Sequence, residues 1–179
     1  RNIPIITFVN KVDRPGQSPL ETLAAIEKSF QIQAIPVNWP VGSSTEFLGL
    51  VDLASDQLHT YLDRAGERRS ATEQLPWHSV VNQTSRDPVA HSIVATGQAN
   101  QTFTKQVIVQ AAEELELLRM AGHVLDYDQF LAGLQTPVFF GSALTNYGIE
   151  LFLRGFIELC PAPSVRWLEA GSNHSPDDF

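Results

Sequence analysis

Asn10, Lys11 and Asp13 stand in the pattern Asn-Lys-x-Asp directly after the apolar run Ile3-Pro4-Ile5-Ile6-Thr7-Phe8-Val9. An Asp carboxylate is ionised at neutral pH and only accepts, so it matches a planar ligand presenting two parallel donors. Guanine does this with its ring N–H and exocyclic amino group; adenine has no such donor pair. Lys11 can lay its methylene stem along a base while its ammonium stays in water. Asn10 can tie the loop to its neighbours or reach the base. The same residues also suit an ordinary surface turn.

Thr136-Pro137-Val138-Phe139-Phe140 followed by Gly141-Ser142-Ala143-Leu144 repeats the design: an apolar strand, then a small-residue turn entering a helix. Small residues let backbone N–H groups approach a flat ligand closely. The contact expected is from the Ser142 and Ala143 backbone to the guanine carbonyl oxygen. Alone, Gly-Ser-Ala is equally a tight strand-to-helix connection.

Both motifs need strands to carry them. A run of β-branched and aromatic residues without alternation predicts a strand buried on both faces, as in parallel sheets, with its polar residues at the carboxyl tip where such sheets bind ligands. Ser18-Pro19-Leu20-Glu21 predicts a helix start, with Ser18 as N-cap, Pro19 in the first turn and Glu21 closing a capping box. Leu20, Leu23, Ala24, Ile26 and Phe30 give that helix a face toward a sheet. From Ala34 the period becomes two. Ile35, Val37 and Trp39, then Phe47 to Leu53, then Leu58 to Leu62 predict a small antiparallel sheet, with Pro36 and Pro40 on an edge or bend. Trp39 and Phe47 suit its packing better than a ligand platform.

Beyond it, Asp63 to Arg69 predicts a charged turn, and Asn100-Gln101-Thr102 a loop. Phe103 to Ala121 predicts a long helix with Val107, Ile108, Ala111, Ala112, Leu115, Leu118 and Ala121 on one face, Glu113, Glu114 and Glu116 on the other, and Gly122 as its stop. Asp126-Tyr127-Asp128-Gln129 opens a short helix ending at Gly133. A last helix carries Ile149, Phe152, Leu153, Phe156, Ile157 and Cys160 as its apolar stripe, which makes Cys160 a small buried hydrophobe, and Pro161-Ala162-Pro163 stops it. None of His59, His78, His91, His123 and His174 pairs closely with Cys or another His, so no metal site is expected.

Asn10-Lys11-Val12-Asp13 and Gly141-Ser142-Ala143 resemble the fourth and fifth motifs of translational GTPases. The stretch Ile35-Pro36-Val37-Asn38-Trp39-Pro40-Val41-Gly42, with Phe47-x-Gly49-x-x-Asp52-Leu53, resembles the insert those proteins carry. Trp39-Pro40, Glu114-Leu115-Glu116-Leu117, Phe130-Leu131-Ala132-Gly133 and Thr136 to Ala143 resemble the bacterial peptide chain release factor 3 family more than elongation factor G. The resemblance implies an α/β fold: part of a P-loop GTPase G domain, two C-terminal parallel strands with their helices, interrupted by an α+β subdomain holding a small antiparallel sheet. The boundaries expected are 1–33 and 126–163 for the G-domain parts, 34–125 for the insert, and 164–179 for a linker toward a β-barrel domain. GTP or GDP is the implied ligand, with Mg²⁺ in the intact protein and Asn10, Lys11, Asp13, Ser142 and Ala143 at the base.

The implied partners of the intact protein are the ribosome and the codon-reading release factors, with a ribosomal stalk contact through the insert. An elongation factor G-like translocase, and a non-catalytic docking module spanning 34–125, stay open as alternatives.

No Gly-x-x-x-x-Gly-Lys-Ser/Thr loop and no Asp-x-x-Gly-His segment occurs in the 179 residues. The expectations are therefore a cut piece with no catalytic or metal-binding residue, no GTP hydrolysis, and no measurable nucleotide affinity at micromolar concentration, since phosphate contacts supply the larger electrostatic share. An open strand edge around Ile3–Asn10 predicts self-association. A net charge of −8 with only 12 Lys and Arg argues against a nucleic-acid surface. One cysteine and no membrane-length apolar run make the cytoplasm the expected compartment.

Overall fold

The computed structural model describes residues 3–61, 73–86, 101–160, 166–167 and 173–174. In chain order the elements are β1 (Thr7–Val9), α1 (Pro19–Phe30), β2 (Gln33–Pro36), β3 (Asn38–Val41), a 3₁₀ turn (Ser44–Glu46), β4 (Gly49–Asp52), β5 (Gln57–Thr60) and β6 (Glu73–Pro76). Then come α2 (Trp77–Arg86), α3 (Gln101–Met120), α4 (Tyr127–Leu131), β7 (Gln135–Phe140), α5 (Ile149–Leu159), β8 (Arg166–Trp167) and β9 (Asn173–His174). The expected turn at 63–69, His91 and the Pro161-Ala162-Pro163 stop lie outside the described residues.

Two sheets organise the chain. One is parallel, in the order β1-β7-β2; the other is antiparallel, in the order β3-β4-β5-β6. The fold is thus α/β with a separate small antiparallel sheet, as expected. The parallel sheet has one more strand than the sequence period indicates. Ala34, Ile35 and Pro36 pair with Thr136, Pro137 and Val138 instead of opening the antiparallel sheet. A single residue, Val37, makes the change: its N–H donates to Val138 and its carbonyl accepts from Leu53. Alternation runs unbroken through this junction, so the period alone cannot reveal the change of partner. Pro36 and Pro40 lie on β2 and β3, the outer strands of the two sheets, where a missing N–H is tolerated.

Burial follows position in the sheet. The central strand β7 is buried throughout, whereas β1, expected to be buried on both faces, is only half-buried because it has a neighbour on one side. Ser18 and Glu21 form the capping box of α1. Leu23 is buried, but Ala24 and Phe30 of the expected face are exposed. The helix packs chiefly on β2, four residues long, which is too short to cover its last turn.

α3 begins at Gln101, earlier than expected, so Gln101 and Thr102 are helical. Val107, Ile108, Ala111, Leu115 and Leu118 face the core, and Gly122 closes the helix at φ +69°. Glu114 departs from the expected acidic face: its Oε2 accepts from the indole N–H of the fully buried Trp39 at 2.9 Å. A buried indole N–H needs an acceptor, and this one comes from a helix 75 residues away.

On α5 the buried residues are Leu151 and Gly155, while Phe152 packs edge-on against Phe139. Leu153, Phe156, Ile157 and Cys160 are exposed, so Cys160 is not the buried hydrophobe expected. The apolar stripe is wider than the face the described sheet offers it. The stretch 164–179, expected as a linker, contains the two-residue ladder β8–β9, too short to leave a periodic signature. Among the described residues no helix is long and apolar enough to cross a membrane, and no cluster of His, Cys, Asp and Glu could hold a metal.

Candidate functional site

The tips of β1 and β7 lie side by side because the strands pair in parallel register, Val9 opposite Phe140. The two loops that follow are stitched together. Gly141 N–H donates to the Val9 carbonyl at 2.9 Å, and Val12 N–H donates to the Gly141 carbonyl at 3.1 Å. Gly141 must be glycine here: a Cβ would meet the Tyr147 carbonyl oxygen and stand 2.7 Å from the Phe8 ring.

Asn10 completes the joint. Its Oδ1 accepts from Lys11 N–H and from Ala143 N–H, each at 2.9 Å. Lys11 sits at φ +72°, a left-handed conformation uncommon for a residue with a side chain and held by this bond and the one from Arg14 N–H to its carbonyl. Asn10, Lys11 and Ala143 are exposed, Asp13 is half-buried and Ser142 is fully buried.

Three buried side-chain oxygens on these loops have no hydrogen-bond partner in the protein: the carboxylate Oδ1 of Asp13 and the hydroxyls of Ser142 and Thr145. Buried polar atoms are nearly always paired, so these three have capacity left for a polar partner from outside the chain. Donors are what the Asp13 carboxylate lacks, and a guanine edge would supply them. The residues present therefore fit a guanine base.

The two amides expected to meet a guanine carbonyl both have partners within the protein: Ser142 N–H donates to the Tyr147 carbonyl at 2.8 Å and Ala143 N–H to Asn10 Oδ1 at 2.9 Å. The turn closes on itself through a Ser142–Tyr147 bridge, a contact no local spacing announces.

A cleft of about 750 Å³ opens beside the joint, with Lys11, Arg14, Glu46, Gln110 and Glu114 in its lining. Asn10 and Lys11 line it; Asp13, Ser142 and Ala143 do not. It is thus a neighbour of the partnerless oxygens, not their container.

Sequence reasoning missed Asn38, Tyr61 and Tyr147. Asn38 Nδ2 donates to the Phe140 carbonyl at 2.9 Å and its Oδ1 accepts from Phe140 N–H at 2.7 Å. Tyr61 Oη accepts from Gly148 N–H at 2.9 Å, and burial pushes its phenol up to about 12. The one available hint was Asn38, a polar residue inside an apolar alternation.

The Elongation factor Tu GTP binding domain family matches residues 1–162. The chain belongs to that family. Within it, the chain is similar to peptide chain release factor 3 of several bacteria: 36% identical over 178 residues to that of Lactobacillus delbrueckii subsp. bulgaricus, covering 99% of this chain and 31% of the relative. Identity is 39% over 165 residues with Trichodesmium erythraeum, covering 92% and 28%. It is 42% over 164 residues with Listeria welshimeri serovar 6b, covering 92% and 28%. The chain spans about three-tenths of the length of these relatives. A crystal structure from Thermus thermophilus aligns with 90% of the chain and 23% of its own at 20% identity and a TM-score of 0.49. The α/β sheet with its separate antiparallel unit and the resemblance read from the motifs agree with that family.

Proposed function

We propose that this chain supplies the guanine-recognition part of a GTP-dependent translation termination factor, one that promotes release of the codon-reading release factors from the ribosome. The observation that carries it is Asp13 Oδ1, a buried carboxylate oxygen without a partner, on a loop pinned to the Gly-Ser-Ala turn by Asn10. An unpaired buried acceptor costs about 1–3 kcal/mol, which the two parallel donors of guanine relieve. Lys11 covers a face of the base with its stem, and Ser142 and Ala143 form the wall opposite Asp13. Ala143 N–H reaches the base carbonyl only by sharing or leaving its bond to Asn10.

GTP or GDP is the ligand, with Mg²⁺ at its phosphates in the intact protein; the nucleotide brings the phosphoanhydride chemistry, and this chain's residues hold and identify its base. The similarity to peptide chain release factor 3 supports a termination factor over a translocase. The intact protein would then work on the ribosome in the cytoplasm, with a stalk contact through the unit around β3–β6 and α3.

The deciding experiment is Asp13→Asn in the full-length gene product. Asparagine presents an amide donor where the carboxylate accepted, so GDP affinity should fall about a hundredfold while xanthosine diphosphate binding rises. An unchanged base preference would overturn the proposal.

A further inference from the structure

The segment from Phe140 to Gly148, which carries Ser142 and Ala143, is held at both ends by side chains of the antiparallel unit. At the entrance, Asn38 of β3 is fully buried and pairs reciprocally with both backbone groups of Phe140, as a neighbouring strand would. At the exit, Tyr61 Oη takes the Gly148 N–H, and the Tyr61 and Phe47 rings lie 4.6 and 4.9 Å from the Tyr147 ring. Tyr147 in turn accepts Ser142 N–H through its carbonyl. The path from Tyr61 to Ser142 is therefore two contacts long. Asp13 sits on the other loop, which meets this one through Gly141 and Asn10.

We infer that Asn38 and Tyr61 are positioning residues for base recognition: they set where Ser142 and Ala143 stand relative to Asp13 and so make guanine specificity depend on the antiparallel unit. This rests on the guanine-recognition reading. Neither residue needs to touch the nucleotide. The two clamps act on a turn whose own amides are already paired, so its position is fixed from outside by the side chains at its ends. Tyr61 is suited to this, because a phenol that stays protonated across the working pH range offers the same neutral acceptor throughout. Nucleotide state and anything bound to the antiparallel unit would be coupled through the same two bonds.

The test measures GDP, inosine diphosphate and xanthosine diphosphate affinity in the full-length gene product carrying Tyr61→Phe, Asn38→Ala or Asp13→Asn, scoring only the active fraction. Inosine diphosphate lacks the exocyclic amino group, so the ratio of its affinity to that of GDP reports engagement of Asp13. Tyr61→Phe keeps the ring stack and removes one acceptor; GDP affinity should fall about fivefold, with the ratio moving toward one. Asn38→Ala should do the same more strongly, and if it does not fold Tyr61→Phe decides alone. Unchanged affinities, or equal weakening of both nucleotides at an unchanged ratio, would give the clamps a purely structural role and overturn the inference. If Asp13→Asn leaves base preference untouched, the guanine reading fails and the inference falls with it. A switch toward xanthine with inert clamp variants sinks the inference alone.

Discussion

The amide of Ala143 donates to Oδ1 of Asn10 at 2.9 Å, joining two loops 133 residues apart in the chain. The same oxygen holds Lys11 in its left-handed conformation. Asn10→Ala removes both bonds at an exposed site where water can replace them, so stability should fall by only about 1 kcal/mol. Loop registration should suffer more, with GDP affinity of the full-length gene product dropping roughly tenfold. Thermal melts and titration calorimetry on one preparation separate the effects; a large loss of stability with unaltered affinity would make Asn10 a structural residue only.

Gly141→Ala addresses the stitch itself. The added methyl has no room between the Tyr147 carbonyl and the Phe8 ring, and backbone on one side limits relaxation. We expect a loss of about 2–3 kcal/mol, read as a lower denaturant midpoint at unchanged slope. A wild-type midpoint would mean that the β1 and β7 tips are less tightly joined than their hydrogen bonds indicate.

The antiparallel unit is tied to α5 by Arg154 and Asp52, 2.7 Å apart. Asp52 is 4% exposed at its side chain and Arg154 51%, so the pair is buried on one side only. Arg154→Met keeps much of the stem but leaves the carboxylate with Ser55 Oγ and Ala54 N–H. The cost should be about 2 kcal/mol, below that of a fully buried pair because water reaches the guanidinium. Adding Asp52→Asn should recover part of it; additive losses would show that the two groups are not coupled.

His59 of β5 is buried, and burial holds its pKa below 6.5; Asp52 and Glu150 oppose this and Arg154 reinforces it. Below pH 6.5 the unfolded chain takes up a proton that the folded chain resists. The contribution of His59 is therefore complete above 6.5 and shrinks as pH falls toward its folded pKa. Melting temperature should decline between pH 7 and 5.5 at constant ionic strength, and His59→Gln should flatten that decline. Parallel curves for the two proteins would exclude His59 as its source.

The features legible in the sequence share a short reach along the chain. Ser18 and Glu21 announce a helix start because a capping box closes within one turn. Gly122 announces a stop because its conformation is local. Asn-Lys-x-Asp and Gly-Ser-Ala are readable because each follows an apolar run that must be a strand, and parallel pairing then brings their tips together. The buried face of α3 follows from its period. Residue types and local spacing were enough for the fold class and for bringing the two motifs to adjacent strand tips.

Tertiary structure decided what depends on distant partners. The stretch Ile35 to Val41 is blind to the change of sheet at Val37, because it is buried on either side of the junction and its partners lie far along the chain. Glu114 of α3 looks like a solvent-facing acid until Trp39 of β3 meets it needing an acceptor. Cys160 and Phe156 lie on an apolar stripe, yet whether a stripe is covered depends on the width of the sheet beneath it. Neither Asn38, inside the stretch that resembles the insert, nor Tyr61 announces its partner locally. Their role comes from meeting Phe140 and Gly148 across 102 and 87 residues of chain, and only packing brings those backbones within hydrogen-bond reach.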